Sequence, residues 1–244
     1  MTKFIHFGCW NKMNDGCLND VMKLLNTYID DTIDVNRPNF ISIVGDNYYP
    51  TKLISKKDGK NNKIKIIKLD ELTSGFDLLP KIIPIYMILG NHDLETTIEG
   101  ESVPLYINDK DNTYTEVSGA CTILQQEKIV TKGTNIELLL FKAVLLENET
   151  LLLMVDTSMY SQDVAEFIPC YNIFLDTTED NPFNLERLIT YQNELIINAL
   201  EYNKDKFKHL IISGHHPITG FKEKKGRVTQ LNDIPRFLNV LKES

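Results

Sequence analysis

The sequence lacks the long apolar segments that would place it in a membrane. No run approaches the roughly 18 consecutive apolar residues that a transmembrane helix needs. The amino-terminal stretch MTKFIHFGCW also lacks the apolar core and the small-residue cleavage site of a signal peptide. These absences predict a cytoplasmic or otherwise intracellular protein with no membrane partner.

Paired cysteines and concentrated basic charge are missing as well. The four cysteines include no CxxC pair, so they predict no disulfide framework, and in a reducing compartment most should be thiols. The formal net charge is −8, which argues against nucleic acid as a partner because such binding relies on a basic patch. The basic run from Lys56 to Lys68 is interrupted by Asp, Gly and Asn, which favours a solvated excursion over a nucleic-acid surface.

The apolar segments of the first half predict strands that alternate with helices. Strands are predicted at residues 3–7, at Phe40–Val44 and in IPIYMILGNHD, and apolar spacing predicts helices at 18–29 and near 69–79. Each strand is apolar throughout, as expected of strands that are covered on both faces. This order of elements indicates an α/β fold.

The second half is predicted to continue the same domain. Residues 95–135 have the pattern of a long loop, and IELLLFKAVLLENETLLLMVDTS predicts a hairpin that turns at 147–149. NLERLITYQNELIINALEYN predicts an amphipathic helix capped by Asn184, KHLIISGHHP predicts a buried strand, and NDIPRFLNVLKE predicts a final helix. No repeat or linker divides the chain, so residues 1–244 are predicted to form a single domain.

Four of the predicted strands end in a glycine that is followed by side chains able to bind a metal. In chain order these ends read GCWN, GDNYY, GNHD and GHHP. Open α/β sheets bind ligands at the carboxyl ends of their strands. A turn explains one such motif on its own. Four of them, each after an apolar strand, indicate a shared site.

The strand ends supply the mixture of donors that suits two metal ions. They provide a carboxylate at Asp46, an amide oxygen at Asn91 and imidazoles at His92, His215 and His216. A carboxylate can bridge two cations about 3.5–4 Å apart, and neutral donors complete each coordination shell. Strand ends also hold such ligands rigidly.

The motifs GDNYY, GNHD and GHHP resemble the second, third and fourth signatures of the calcineurin-like metallophosphoesterases, in order and over nearly the whole chain. The tyrosine after GDN and the stretch MVDTS resemble the purple acid phosphatase branch in particular. The resemblance implies a layered α/β sandwich with its site at the carboxyl ends of the strands. It also implies that a phosphate ester is hydrolysed there with two metal ions, of Fe, Mn or Zn.

The resemblance further implies which residues would hold the metals. Asp46 would be the bridging carboxylate, and Tyr49 would bind the first metal as a phenolate. Asn91 and His215 would bind the second metal.

The remaining matched positions are expected to act on the substrate. His92 would contact the phosphate and protonate or stabilise the leaving group, and Asp93 would orient His92. A positioned general acid typically contributes about 10²–10⁴-fold to a rate. His216 and Asn11 are also expected to contact the substrate.

Two features depart from the family pattern. Cys9 stands where the first metal's carboxylate is expected. A thiolate can bind zinc or iron, so Cys9 is a candidate ligand; the alternative is a small buried residue that fills space after metal binding was lost. The family's final Gly-His-x-His signature is absent, since no histidine follows His216. This predicts a C-terminally incomplete domain that lacks its last strands and one imidazole at each metal.

These observations leave two functions to weigh. The first is a metal-dependent phosphoesterase in which Asp46, Asn91, His92 and His215 carry the reaction. The alternative is a catalytically impaired relative that keeps the fold and part of the site and acts as a binding or interaction protein. An ordinary nucleotide-binding domain is disfavoured because neither GxGxxG nor GxxxxGK[ST] follows a predicted strand.

Overall fold

A computed structural model of the chain describes most of its residues. The described residues are 2–12, 17–49, 51–57, 60–94, 103–108, 113–117, 122–130, 133–161, 164–177, 181–217, 221–224 and 227–230. The final helix predicted for NDIPRFLNVLKE lies outside them.

Strands and helices are interspersed along the described part of the chain. The strands are β1 Phe4–Phe7, β2 Phe40–Val44, β3 Thr51–Lys57, β4 Lys60–Lys68, β5 Ile85–Ile88, β6 Val103–Asn108, β7 Thr113–Val117, β8 Ile136–Leu139, β9 Phe141–Leu146, β10 Thr150–Val155, β11 His209–Ser213, β12 Phe221–Lys224 and β13 Arg227–Gln230. The helices are α1 Leu18–Asp31, α2 Leu69–Asp77, α3 Thr122–Val130, α4 Val164–Phe174 and α5 Leu185–Asn203, and Thr157–Tyr160 forms a short 3-10 helix.

Two sheets position the functional residues. The first is parallel throughout and has the strand order β1-β2-β5-β8. The second has the order β11-β10-β9, in which β9 and β10 form an antiparallel hairpin and β11 runs parallel to β10. Two further groups of strands are β3-β4-β6-β7 and the β12-β13 hairpin.

The two main sheets pack face to face. A buried apolar cluster joins residues of β2 and β5 to residues of β9 and β10, among them Phe40, Ile88, Leu146 and Leu152. Ser42 of β2 also lies 3.4 Å from the sulfur of Met154 in β10. All five residues of β2 are buried, as the continuous apolar sequence predicts for a strand that is covered on both faces. The layered α/β architecture predicted from the sequence is therefore confirmed.

Helices α1 and α5 form where the sequence predicts them, although Val21 and Leu24 of α1 are exposed. Helix α1 buries Leu18, Met22 and Ile29, which recur at helical spacing. The side chain of Asn184 caps α5 by accepting a hydrogen bond from the backbone N–H of Arg187 at 2.9 Å. No helix in the described part of the chain is long and apolar enough to cross a membrane.

Three sequence predictions are wrong. The region predicted as a loop at 95–135 contains β6, β7 and α3. The strand predicted as buried in KHLIISGHHP is β11, whose first three residues are exposed; among the described strands it pairs only with β10. Finally, Cys9 and Cys17 are free thiols, but Cys170 is disulfide-bonded, which the reducing-compartment prediction did not anticipate.

Candidate metal centre

Strand ends from both sheets bring their polar residues to one place. β1, β2 and β5 are neighbours in the parallel sheet, and Cys9, Asp46 and Asn91 follow their carboxyl ends. His215 follows β11 of the second sheet. One ligand atom of each of Cys9, Asp46 and His215 lies within 4.8 Å of the other two. The structure therefore gathers a thiol, a carboxylate and an imidazole around one point.

A glycine allows the loops after β2 and β5 to touch. A Cβ atom on Gly90 would lie 2.4 Å from the backbone nitrogen of Asp46 and 2.5 Å from its Oδ1, so no side chain fits there. Asp46 and Cys9 themselves have φ angles of 52° and 54°, a left-handed conformation that Asp adopts more readily than most residues. This backbone turns the Asp46 carboxylate into the centre of the cluster.

The two carboxylate oxygens of Asp46 face different groups. Oδ1 lies 3.2 Å from His215 Nε2 and accepts the backbone N–H of His92 at 3.1 Å. Oδ2 accepts the Tyr49 hydroxyl at 2.9 Å and lies 3.7 Å from the Cys9 sulfur. Asp46 therefore has an imidazole on one side, and a phenol and a thiol on the other.

Asn91 joins the imidazole side of this arrangement. Its Oδ1 lies 3.2 Å from His215 Nε2 and 3.1 Å from His216 Nε2. The other ring nitrogen of His215, Nδ1, donates to the backbone carbonyl of Val44 at 2.9 Å. Because a carbonyl only accepts, this bond keeps the proton of the neutral ring on Nδ1 and leaves a lone pair on Nε2.

His92 lies beside Tyr49 at the edge of the cluster. Their ring centroids are 4.7 Å apart. The backbone of His92 is tied to Asp46 Oδ1 by the hydrogen bond described above, and its residue as a whole is only partly buried. An imidazole in this position can reach a ligand that enters the cluster from solvent.

Asp93 is buried beneath the loops rather than exposed at the cluster. Its carboxylate accepts the backbone N–H groups of Asn47 at 2.9 Å and Gly90 at 2.8 Å. It also accepts the side-chain amides of Asn47 at 3.1 Å and Gln126 at 2.7 Å. Asp93 thereby fastens the turn that carries Asn91 and His92 to the loop after β2.

Asn11, for which substrate contact is predicted, faces α2 in the core. The residue is fully buried, and its side-chain N–H donates to the backbone carbonyl of Leu72 at 3.4 Å. A Cβ atom on Gly75 of α2 would lie 2.0 Å from its Oδ1, which shows how closely the amide packs there. The structure therefore does not bring this amide to the cluster of Cys9, Asp46 and His215.

Comparison with known protein families matches the sequence to one of them. The sequence model of the calcineurin-like phosphoesterases matches residues 2–240. The chain belongs to the calcineurin-like phosphoesterases. Searches among curated proteins and among solved structures each found no match. The superfamily predicted from the motifs is thus confirmed, and metal-dependent phosphoesterase chemistry is the general activity that the family carries.

The residues of this calcineurin-like phosphoesterase fit a bound cation. Two ligand atoms about 2.1 Å from one ion, at octahedral or tetrahedral angles, are separated by about 3.0–3.4 Å. His215 Nε2 lies at 3.2 Å from both Asp46 Oδ1 and Asn91 Oδ1. Burial lowers the pKa of His215, but the hydrogen bond and charge of Asp46 outweigh burial and raise it, so without a metal Nε2 can carry a proton that these oxygens accept. A bound cation would take the place of that proton between the three atoms.

The charges in the cluster also favour a cation. Burial raises the pKa of the Asp46 carboxyl, but the hydrogen bond and charge of His215 outweigh burial, with a contribution from His92, and lower it to about 2. Burial and the charge of His215 lower the pKa of His216 to about 4. At neutral pH the cluster therefore presents an ionised carboxylate and a neutral His216 ring, which are the protonation states that bind metals.

The thiol and phenol on the other side are neutral without a metal. Burial is the largest cause that raises the pKa of Cys9, and the charge of Asp46 adds to it. Burial likewise raises the pKa of Tyr49 far above its ordinary value, together with Cys9 and Asp46. A coordinated cation reverses this preference, because it stabilises the thiolate and the phenolate directly.

Sequence reasoning missed three residues that support the cluster. Asn47 binds Asp93 and accepts the Trp10 indole N–H at 3.3 Å, and Thr157 accepts the backbone N–H of His216 at 2.7 Å. Both stand inside stretches that the motifs had singled out, GDNYY and MVDTS. Gln126 carries no such signal, because it belongs to the region that had the pattern of a loop.

Proposed function

We propose that this calcineurin-like phosphoesterase hydrolyses a phosphate ester at a dinuclear metal centre that Asp46 bridges. The observation that carries the proposal is the division of donors between the two oxygens of Asp46. Oδ1 faces His215, and Oδ2 faces Tyr49 and Cys9. A carboxylate that bridges two cations about 3.5–4 Å apart can offer one oxygen to each.

Each side of the centre offers its own set of ligands. Asn91 and His215 would hold one ion on the Oδ1 side, where their ligand atoms lie 3.2 Å apart. Tyr49 and Cys9 would hold the other on the Oδ2 side. A phenolate favours ferric iron, as in the purple acid phosphatase branch, and a thiolate favours zinc, so Fe, Mn and Zn are the metals to test.

His92 is the residue placed to act on the ester. Bound cations would neutralise the phosphate and lower the pKa of a coordinated water. The His92 ring, which lies beside Tyr49 at the edge of the cluster, would contact the phosphate and give a proton to the leaving oxygen. Asp93 would keep His92 in place, since it binds Gly90 at the start of the turn that carries His92 and Asn47 in the neighbouring loop after β2.

One observation favours a second candidate, a binding protein that has lost catalysis. Cys9 replaces the carboxylate expected at the first metal, and its thiol has a raised pKa. If Cys9 does not ionise, the Oδ2 side keeps only Tyr49 beside the bridging oxygen, and its ion would be held weakly. Such a protein would bind one ion or a phosphate without turnover.

The two candidates are separated by metal content and turnover. The full 244-residue chain is loaded in turn with Mn²⁺, Fe and Zn²⁺ and assayed with p-nitrophenyl phosphate. We expect about two ions per chain and turnover that Asp46→Asn abolishes. Asn is the matched replacement because it tolerates the φ of 52° at this position. One ion with no turnover would support the binding protein, and no bound metal would contradict the phosphoesterase.

A further inference from the structure

We propose that His216 is an additional metal ligand, on the Oδ1 side of the centre with Asn91 and His215. The inference rests on the proposed function and adds a second imidazole to the ligands of the ion on this side. The ion on this side would receive two neighbouring imidazoles from one loop, where the motif comparison assigned one ligand and one substrate contact. Two imidazole ligands favour zinc, copper or iron over magnesium and calcium.

The first support is that both imidazoles reach the same oxygen. His216 Nε2 lies 3.1 Å from Asn91 Oδ1, and His215 Nε2 lies 3.2 Å from it. Both values match the separation of about 3.0–3.4 Å between ligands of one ion. The two rings are 4.6 Å apart and inclined by 71°, so their edges converge on the amide without stacking.

The second support is that the backbone holds His216 in this direction. Its N–H donates to the Thr157 hydroxyl at 2.7 Å, and Thr157 is itself buried. Gly214 packs against the same threonine, where an added Cβ would lie 2.4 Å from Cγ2. Consecutive residues in an extended strand point to opposite faces, but the chain leaves β11 here, and both rings turn toward Asn91.

The third support is an orphaned atom. His216 Nδ1 is buried and has no hydrogen-bond partner within the described residues, whereas His215 Nδ1 is bound to Val44. No described acceptor fixes the position of the proton on the neutral ring, so the proton can lie on Nδ1 and leave the Nε2 lone pair for an ion.

The inference is tested on the full chain with Zn²⁺ alone as the probe. Affinity is measured by competition with a chromophoric chelator, and the number of imidazoles per zinc is counted by X-ray absorption. His216→Ala should weaken Zn²⁺ binding by about 10–100-fold and remove one imidazole from the count. His209→Ala is the matched control, because His209 is exposed at the start of β11, and it should change neither quantity.

His216→Gln controls for a folding defect in His216→Ala, because Gln keeps a side chain that can form a hydrogen bond with Asn91. Circular dichroism should match the wild type, and the imidazole count should again fall by one. An unchanged imidazole count and an unchanged Zn²⁺ affinity in both variants would overturn the inference. Turnover by the wild type would still support the proposed function in that case. A higher KM for p-nitrophenyl phosphate with an unchanged count would also overturn it, in favour of substrate contact. A wild-type chain without zinc would overturn both.

Discussion

The hydroxyl oxygen of Thr157 accepts the backbone N–H of His216 at 2.7 Å. This bond links the 3-10 helix after β10 to the loop after β11. We expect Thr157→Val, which keeps the shape of the side chain, to leave the buried N–H without its acceptor at a cost of about 1–3 kcal/mol. Because His216 would then lose its orientation, Zn²⁺ affinity should fall by about tenfold, as measured by chelator competition. Thr157→Ser keeps the oxygen and should behave like the wild type; equal losses in both variants would contradict the role given to the hydroxyl.

The sequence predicted which residues meet at the cluster better than it predicted the elements around them. Asp46, Asn91 and His215 each follow a glycine at the end of an apolar strand, and the carboxyl ends of adjacent parallel strands lie at one edge of a sheet. That β11 belongs to a second sheet did not matter, because its end still reaches the cluster. Local sequence was therefore enough to name these residues.

The supporting elements could not be predicted in the same way. Helix α3 buries Gln125 and Gln126 together with Ile123, so it shows no apolar stripe, and its segment had the pattern of a loop. The reason for the burial of Gln126 is its hydrogen bond to Asp93, 33 positions away. The apolar sequence of β11 predicted burial, but exposure depends on which strands lie beside it, and that is set by the whole fold.

Cys9 can be tested as a ligand by replacing it with Asp and with Ala. In cobalt-loaded wild type we expect a thiolate-to-cobalt absorption band, and both variants should lose it. Cys9→Asp should raise the affinity for Mn²⁺, because a carboxylate suits this harder ion and Asp tolerates the φ of 54° there. Cys9→Ala should lower it. Cys17→Ala, which removes the other exposed free thiol, is the control. A wild-type spectrum without the band would contradict the ligand role of Cys9, which is exposed and not the buried space-filling residue that the sequence offered as the alternative.

Tyr49 can be tested through the colour of the iron-loaded protein. Its hydroxyl donates to Asp46 Oδ2 at 2.9 Å, and burial keeps its pKa well above the ordinary value, so only a bound cation would ionise it. We expect aerobic iron loading to produce a visible phenolate-to-ferric band that Tyr49→Phe removes. Tyr48→Phe, at the buried neighbouring residue, should retain the band. A band that survives Tyr49→Phe would contradict the purple acid phosphatase assignment.

Asp156 should make the stability of the metal-free protein depend on pH. Burial raises the pKa of its carboxyl from 3.8 to about 6, against the hydrogen bonds from Tyr171 and Ser158. The protonated form is thus favoured in the folded state. Its contribution to the free energy of unfolding is complete below about pH 4 and is lost as the pH rises through about 6. The full loss is about 3 kcal/mol. We expect Asp156→Asn to remove the decline in the free energy of unfolding that ionisation of Asp156 causes. Urea denaturation from pH 4 to 7 measures this free energy. Asp30→Asn, at an exposed position of α1, should retain it. Parallel profiles for the wild type and Asp156→Asn would show that the buried carboxyl does not titrate in this range.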